Sequence, residues 1–345
     1  MPPANSLSSA GSLLSLYGVN RVERGPAVYP GPMHAVTIVE GALEWLEHPD
    51  PGPGSGEILV SVRAAGINAA DLMQRRGLYP APPGSPADIP GMEFAGVVVS
   101  LGPGASRWSV GDRVMSITGG GAQAELAVVP GSTAMAVPDG IPWDQAGGFP
   151  EVFCTAYDAL FTQAHLGAGE RVLISGAAGG VGSAAVQLAH AAGAHVVASV
   201  RSVSRHPAVR SLGADEVVEP DQTQDHGPYD VSLELVGASG VAAVLPALAI
   251  GGRVVVIGVG SGAKVEVNLL ALMGRRSTIG GSTLRSRTVE EKSAVAGAVE
   301  EHVVTLLGSG TVVVPVAERF PLARAAEAYD RFAAGDKLGK IVLVN

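Results

Sequence analysis

The sequence predicts an α/β protein, in which a doubly wound sheet of six parallel strands is joined to a smaller, mostly β unit of barrel type. Three observations carry that prediction. A strand, glycine turn, helix and second strand occupy Arg171 to Ser202. Four further β-branched runs follow, with helical segments between them. The stretch before this unit is a series of short strands divided by Gly and Pro. At 345 residues the chain has room for two domains of ordinary size, and 47% apolar residues supply their cores.

The first 32 residues are rich in Ser, Pro and Gly and read as a loose extension, with Met33 opening the folded part. They lack a positive n-region, which argues against a secretory signal. Arg21 and Arg24 after a Ser-rich start leave an organelle-targeting reading open. From there, His34 to Val39 and Ile58 to Ala64 are β runs separated by the turn cluster Pro49 to Gly56. A connecting region, Gly140 to Leu166, carries a helix near Thr155 to Gln163.

Val172 to Ile174 is a short apolar run that suits a buried parallel strand. Gly179, Gly180, Val181 and Gly182 form the turn, and an Ala-rich helix runs from about Ser183 to Ala192. Gly193 stands where a helix end wants a left-handed residue, and Val196 to Val200 is the second strand. Glycines here permit close backbone approach to a pyrophosphate, which would rest on the positive end of the new helix. Ala177 holds the place of the usual first glycine. Even so, the whole unit fits within about thirty residues, as a dinucleotide site requires. The competing reading is a tight turn with no ligand, but three glycines in four residues make a poor helix start for packing alone.

The residues after the second strand select the cofactor. Dinucleotide sites that prefer NAD put an acid there, yet no Asp or Glu occurs from Arg171 to Ala214. Arg201, Ser202 and Arg205 stand there instead, and Arg meets a 2′-phosphate with charge-assisted hydrogen bonds. This predicts NADPH over NADH, the bland alternative being a solvated helix start. A helix from Pro207 to Leu212 then ends at Gly213. Strands follow at Glu216–Val218, Val231–Leu235, Arg253–Ile257 and Ser277–Gly281, with helices near Gly240–Ala249 and Leu269–Gly274. The crossover from Glu219 to Tyr229 reads as a loop. The tail reads as a helix from Thr288 to Leu307, a strand at Val312–Val316, a helix from Leu322 to Ala334, and a strand at Ile341–Val344 that could return to the first unit.

A net charge of −9 argues against nucleic acid or an anionic membrane as the main partner. Cys154 is the only cysteine, so an intrachain disulfide and a Cys-rich zinc site are excluded. It reads as a small buried residue, and the usage suits a reducing, cytoplasmic setting. The longest apolar stretches are interrupted, for example by Pro246 and Arg253, and none makes a convincing membrane span.

The motifs AGINAADLMQRRGLYP, PGMEFAGVV, VGDRV, CTAYDAL, SGAAGGVG, LGAD, GGRVVVIG, GSTLRSR and GKIVLV follow one another in order from Ala65 to Val344. Together they resemble the zinc-free quinone oxidoreductase (zeta-crystallin-like) branch of the medium-chain dehydrogenase/reductase superfamily. The resemblance implies a GroES-like catalytic domain over 33–155 and 287–345, with a Rossmann NADPH-binding domain over 156–286. Zinc-dependent members supply a Cys in the Gly-Ile segment and a His before a Glu. Here Asn68 and Met92 stand at those places, with Glu93 retained, and neither an amide nor a thioether replaces thiolate and imidazole for Zn²⁺. The implied reaction is zinc-independent hydride transfer from NADPH to a quinone or an α,β-unsaturated carbonyl.

By the same resemblance Asn68 and Tyr79 line the acceptor pocket as hydrogen-bond donors. A turn role beside Gly66 competes for Asn68, and packing beside Pro80 and Pro82 competes for Tyr79. Some relatives carry a second Tyr where this chain has Met73. Thr155 matches a helix-start Thr beside the nicotinamide ribose. Gly258, Thr283 and Leu284 would hold the carboxamide, and Gly237 would border the adenosine. Lys340 reads as a solvated surface lysine, Asp71 and Glu93 as structural partners of arginines and backbone donors. Two alternatives stay open: an enoyl-thioester reductase using Arg75, Arg76 and Arg285 as a basic entrance, and a non-catalytic, crystallin-like NADPH-binding protein. A homodimer is expected through the edge of the sheet at Ser277 to Thr283.

Overall fold

The computed structural model describes residues 32–345. The N-terminal extension read from the sequence therefore lies outside the described residues, Pro32 apart. Strands β1 (Met33–Val39) and β2 (Ala42–His48) form an antiparallel hairpin. It turns at Glu40 and Gly41, both with positive φ, as a two-residue hairpin loop requires. β2 has no buried apolar run to mark it in the sequence, its side chains being exposed or half-buried in near alternation. β3 (Glu57–Gly66), β4 (Glu93–Leu101), β5 (Arg113–Ile117), β6 (Leu126–Pro130) and β7 (Ala134–Ala136) follow.

The nucleotide-type unit supplies β8 (Arg171–Ile174), β9 (His195–Ser199), β10 (Glu216–Val218), β11 (Tyr229–Glu234), β12 (Leu248–Val256) and β13 (Thr278–Gly281). Their order is β10-β9-β8-β11-β12-β13 and every ladder is parallel. In chain order that is 3-2-1-4-5-6, the doubly wound arrangement the sequence predicts. The order reverses between β8 and β11. The crevice therefore lies beyond their carboxyl ends, at Ser175–Gly182 and Leu235–Gly237.

The last two strands, β14 (Val316–Pro321) and β15 (Lys340–Val344), join the first unit, in a seven-stranded sheet ordered β14-β15-β3-β4-β5-β7 with β6 on β3. The return of the C-terminal strand is thus as expected, but the strand before it is not. Val312 and Val314 are buried in the core without pairing, and the strand begins at Val316. The predicted long helix is likewise two, Val289–His302 and Val304–Gly308, broken at Val303, which has φ −118°.

Four helices position the site: α1 (Ala69–Arg75), α2 (Trp143–Gly147), α3 (Pro150–Tyr157) and α4 (Gly180–Ala191). α3 and α4 meet in the largest core cluster through Phe149, Phe153, Cys154, Ala184, Ala185 and Leu188. The small residues of α4 let the two helices approach closely, and Cys154 is fully buried as expected. Among the described residues no helix is long and apolar enough to cross a membrane.

Candidate functional site

The glycine turn is built by backbone packing. Gly179 is the extended N-cap of α4, and its N–H donates to Gly176 O at 2.9 Å. A Cβ on Gly182 would lie 2.4 Å from Gly176 O, so only glycine lets the helix start against the strand end. Gly180 faces the other way, where a Cβ would meet Lys340 Cδ and Val152 Cγ1, each at 2.9 Å. Val181 is half-buried between them. Gly237 has φ 115° and donates its N–H to Glu234 Oε1 at 2.8 Å. Gly258 presses so close to β11 that a Cβ would lie 2.0 Å from Leu235 O. The first turn of α4 carries no side-chain cap and no acid, leaving its N–H groups available to an anion.

Beyond β9, Arg201 is exposed, and Ser202 caps a short turn with its Oγ 3.0 Å from Ser204 Oγ. Arg205 is engaged with a residue 131 positions away. Its Nε lies 3.3 Å from Asp336 Oδ1, and Nη2 donates to Asp336 O at 2.9 Å. Arg205 and Ser202 hold the Asp336 carboxyl below its ordinary range. The local sequence holds no acid, but the fold brings one to this corner. Both partners are substantially exposed, so the pair is weak and open to exchange with a phosphate.

A buried charged network lies at the foot of the crevice. Lys340 is 2% exposed, and its ammonium donates to Ile67 O at 2.8 Å, Asn68 Oδ1 at 2.7 Å and Glu93 Oε1 at 2.6 Å. The expected surface lysine is therefore a core residue: all three of its protons are used, and it neutralises a fully buried carboxylate. Glu93 Oε1 also accepts from Asn68 Nδ2 at 2.9 Å, and Oε2 accepts from the Glu151 backbone N–H at 2.9 Å. Its partner is thus a lysine and not an arginine. Gly66 must be glycine, since a Cβ there would sit 2.2 Å from Glu93 Oε1.

This network fixes the Asn68 amide. Lys340 has only protons to offer, so the oxygen faces it and the nitrogen faces Glu93. One Nδ2 proton goes to Glu93, and the second has no partner among the described residues. Asp71 holds the backbone here, accepting from Asn68 N at 2.8 Å and Gly91 N at 3.2 Å. Burial raises the Asp71 carboxyl to about 6 against those bonds and against Lys340 and Arg285.

Tyr79 follows α1 on a loop and is half-buried, with the Arg285 guanidinium 5.1 Å over its ring. Burial raises its hydroxyl above the ordinary range, and the hydroxyl has no hydrogen-bond partner among the described residues. Arg285 is buried and donates to Gly119 O, Tyr79 O and Gln74 Oε1 at 2.8, 3.0 and 2.6 Å. It pins the Tyr79 loop to the segment after β13 and is not a free basic entrance for a thioester. Arg75 is also engaged, with Gly41 O at 2.8 Å. On the same segment Leu284 is buried, and Thr283 is exposed with its Oγ1 3.0 Å from Ser286 Oγ. The segment is anchored by Arg287, which makes a paired hydrogen bond to Asp158 at 3.0 and 2.6 Å.

Thr155 is buried in the middle of α3, not at a helix start, because the helix begins five residues earlier at Pro150. One turn before it stands Glu151, which the sequence reading missed. The signal was Pro-Glu opening a helix, an arrangement favoured at any N-terminus and so not specific. Burial, and then the Glu93 carboxylate, push Glu151 up to about 8. It also feels Tyr79 and Arg285, and its backbone N–H shares the Glu93 carboxylate with the Asn68 amide.

A six-stranded parallel sheet with a glycine turn at its switch point, and a second sheet closing over the crevice, define a medium-chain dehydrogenase/reductase. Comparisons with known proteins agree. The alcohol dehydrogenase GroES-like domain family matches residues 54–139, and the zinc-binding dehydrogenase family matches residues 180–300. Quinone oxidoreductase of Rattus norvegicus is 33% identical over 306 residues, covering 85% of this chain and 91% of that protein. An alcohol dehydrogenase superfamily protein from Novosphingobium aromaticivorans superposes with a TM-score of 0.81 at 30% identity, over 91% of this chain and 99% of that one. The mycobacterial protein Rv1454c, solved in complex with NADPH, gives 0.78 at 29% identity, over 91% of this chain and 100% of its own. The chain belongs to the quinone oxidoreductase branch of the medium-chain dehydrogenase/reductase superfamily, and it is an oxidoreductase that uses a nicotinamide cofactor.

Proposed function

We propose that this oxidoreductase takes NADPH and reduces a quinone or an α,β-unsaturated carbonyl without zinc. The observation that carries the reading is the Lys340–Asn68–Glu93 network. It occupies the place where zinc enzymes of the resembled family keep a thiolate, and leaves one amide N–H without a partner among the described residues. Met92 is buried beside it, so neither position offers a strong zinc ligand.

The dinucleotide, when bound, supplies the hydride. The chain supplies placement: the first turn of α4 takes the pyrophosphate, Arg201, Ser202 and Arg205 take the 2′-phosphate, and Thr155, Gly258, Thr283 and Leu284 border the nicotinamide end. Asn68 Nδ2 then stabilises negative charge as it grows on the acceptor's carbonyl oxygen. A panel of quinones, enones and enoyl thioesters with NADPH, run with and without a chelator, tests the reading. Turnover of the first two classes, undiminished by chelation, is the expected result; turnover lost on chelation overturns it.

Arg205→Ala should weaken NADPH about 10- to 100-fold by removing charge-assisted hydrogen bonds, and leave NADH unchanged. Fluorescence titration with each dinucleotide measures this. Equal losses for both would remove Arg205 from the 2′-phosphate site.

The oligomer we infer is a homodimer formed through β13. All four residues of that edge strand are exposed, and Leu269, Leu270, Met273 and Ile279 present apolar surface beside it. Sedimentation velocity should give a dimer for the natural chain and a monomer for Ile279→Lys. A natural chain that sediments as a monomer at micromolar concentration refutes the dimer.

A further inference from the structure

We propose that Glu151 is the acid that hands a proton to the reduced acceptor, working across the cleft from the Asn68 amide. The assignment rests on the reductase reading above, which leaves the source of the proton open.

Position is the first argument. In the first turn of α3, Pro150, Val152 and Phe153 are buried, whereas Glu151 keeps partial access to solvent. It lies one helical turn from Thr155, so both share one side of α3, the side that the reductase reading sets beside the nicotinamide. Its backbone N–H is bound to Glu93 Oε2, and the other Glu93 oxygen is bound by Asn68 Nδ2 and Lys340. The two residues are therefore anchored to opposite oxygens of one carboxylate.

Elimination is the second. Lys340 has spent every proton, Arg285 donates through Nε and both terminal nitrogens, and the Asp71 oxygens are held by backbone N–H groups. Among the described residues neither the Glu151 carboxyl nor the Tyr79 hydroxyl takes part in a hydrogen bond or ion pair, so both are left free to act on a ligand. The groups facing Glu151 are Glu93 of β4, Lys340 of β15, Asp71 of α1, and Arg285 and Tyr79 on their loops; Lys292 of the helix Val289–His302 and Cys154 on its own helix also feel it. Lys340 is committed to Glu93, so burial, and after it the Glu93 charge, push the Glu151 carboxyl up to about 8 and hold it protonated at neutral pH. Tyr79 lies above the ordinary range of a phenol, which makes it the weaker acid. An acid titrating near the working pH is the effective donor.

The step balances simply. Two electrons reach the acceptor as the hydride, leaving an enolate or a hydroquinone anion. The Glu151 O–H bond breaks as a C–H or O–H bond forms on that anion. The electron pair stays on the carboxylate, and solvent reprotonates it through the exposed edge.

Because the acid form is the active one, the rate with an enone should fall as pH rises through about 8. Glu151→Gln should lower kcat about 100-fold at neutral pH, flatten that limb, and leave NADPH affinity unchanged. Glu151→Asp should keep the limb at a reduced rate. Infrared difference spectra of the cofactor-free chain give a readout independent of turnover: the C=O stretch of a protonated carboxyl should be present at pH 7, vanish by pH 10, and be missing in Glu151→Gln. A Glu151→Gln chain with the natural rate and pH limb, or the absence of that band at pH 7, overturns this assignment alone. A natural chain that binds NADPH but reduces none of the acceptors overturns the reductase reading instead.

Discussion

Replacing Lys340 by methionine should cost about 3–5 kcal/mol of folding stability, the range for leaving one partner of a buried ion pair uncompensated. The methionine keeps the stem that passes Gly148 and Gly180 but removes the only cation bonded, among the described residues, to Glu93, which is fully buried. Glu93 would keep two donors, Asn68 Nδ2 and Glu151 N–H, which soften the loss without supplying a charge. Glu93→Gln alone should also destabilise, since it strands the ammonium. The double variant should recover much of the loss, because two neutral groups of similar shape need no mutual charge. Urea unfolding of all four proteins measures the cycle. Additive losses would mean that the pair is uncoupled and that the network does not fix Asn68.

The sheet that carries the cofactor was legible because its signals are local. Gly193 and Gly213 close their helices with positive φ where the sequence places them, and the β-branched runs fall on the six strands. Where apolar periodicity served packing and not pairing, the reading slipped. Val312 and Val314 alternate like a strand but are core residues on an irregular segment. β2 was passed over because Glu40–Gly41 is a quieter turn signal than the Pro/Gly cluster after it.

The site was less legible for a reason of distance. Asn68 could be found from its motif, but what orients it is Lys340, 272 positions away, and a lone lysine before a strand carries no mark of burial. Asp336 reaches Arg205 across 131 positions, so an acid-free local stretch did not imply an acid-free corner. Glu151 is ordinary at a helix start, and its character comes from burial and then from Glu93, both of which only the fold supplies.

Asn68→Ala should lower kcat/KM about 100- to 1,000-fold, the usual effect of deleting one donor to a developing oxyanion. The loss should fall on kcat more than on KM, because the amide N–H strengthens its bond only as charge grows on the acceptor. NADPH affinity should hold, since the described partners of the side chain are Glu93 and Lys340 and neither is a cofactor-binding group. Asn68→Asp is the sharper variant because it preserves shape. It keeps an oxygen for Lys340 but sets a second oxygen 2.9 Å from Glu93 Oε1, where the amide proton had been. Two carboxylates at that separation cannot both ionise comfortably, so the new carboxyl is raised. Protonated, it again offers an O–H; ionised, it repels charge on the acceptor. Activity of Asn68→Asp should therefore be nearly absent at pH 8 and recover as pH falls, the reverse of the loss expected when Asp71 takes up its proton near 6. Steady-state kinetics from pH 5 to pH 9 separate the cases. An Asn68→Ala chain that keeps the natural kcat would show that the acceptor's charge is met by another group, and Tyr79 would then be the donor to test.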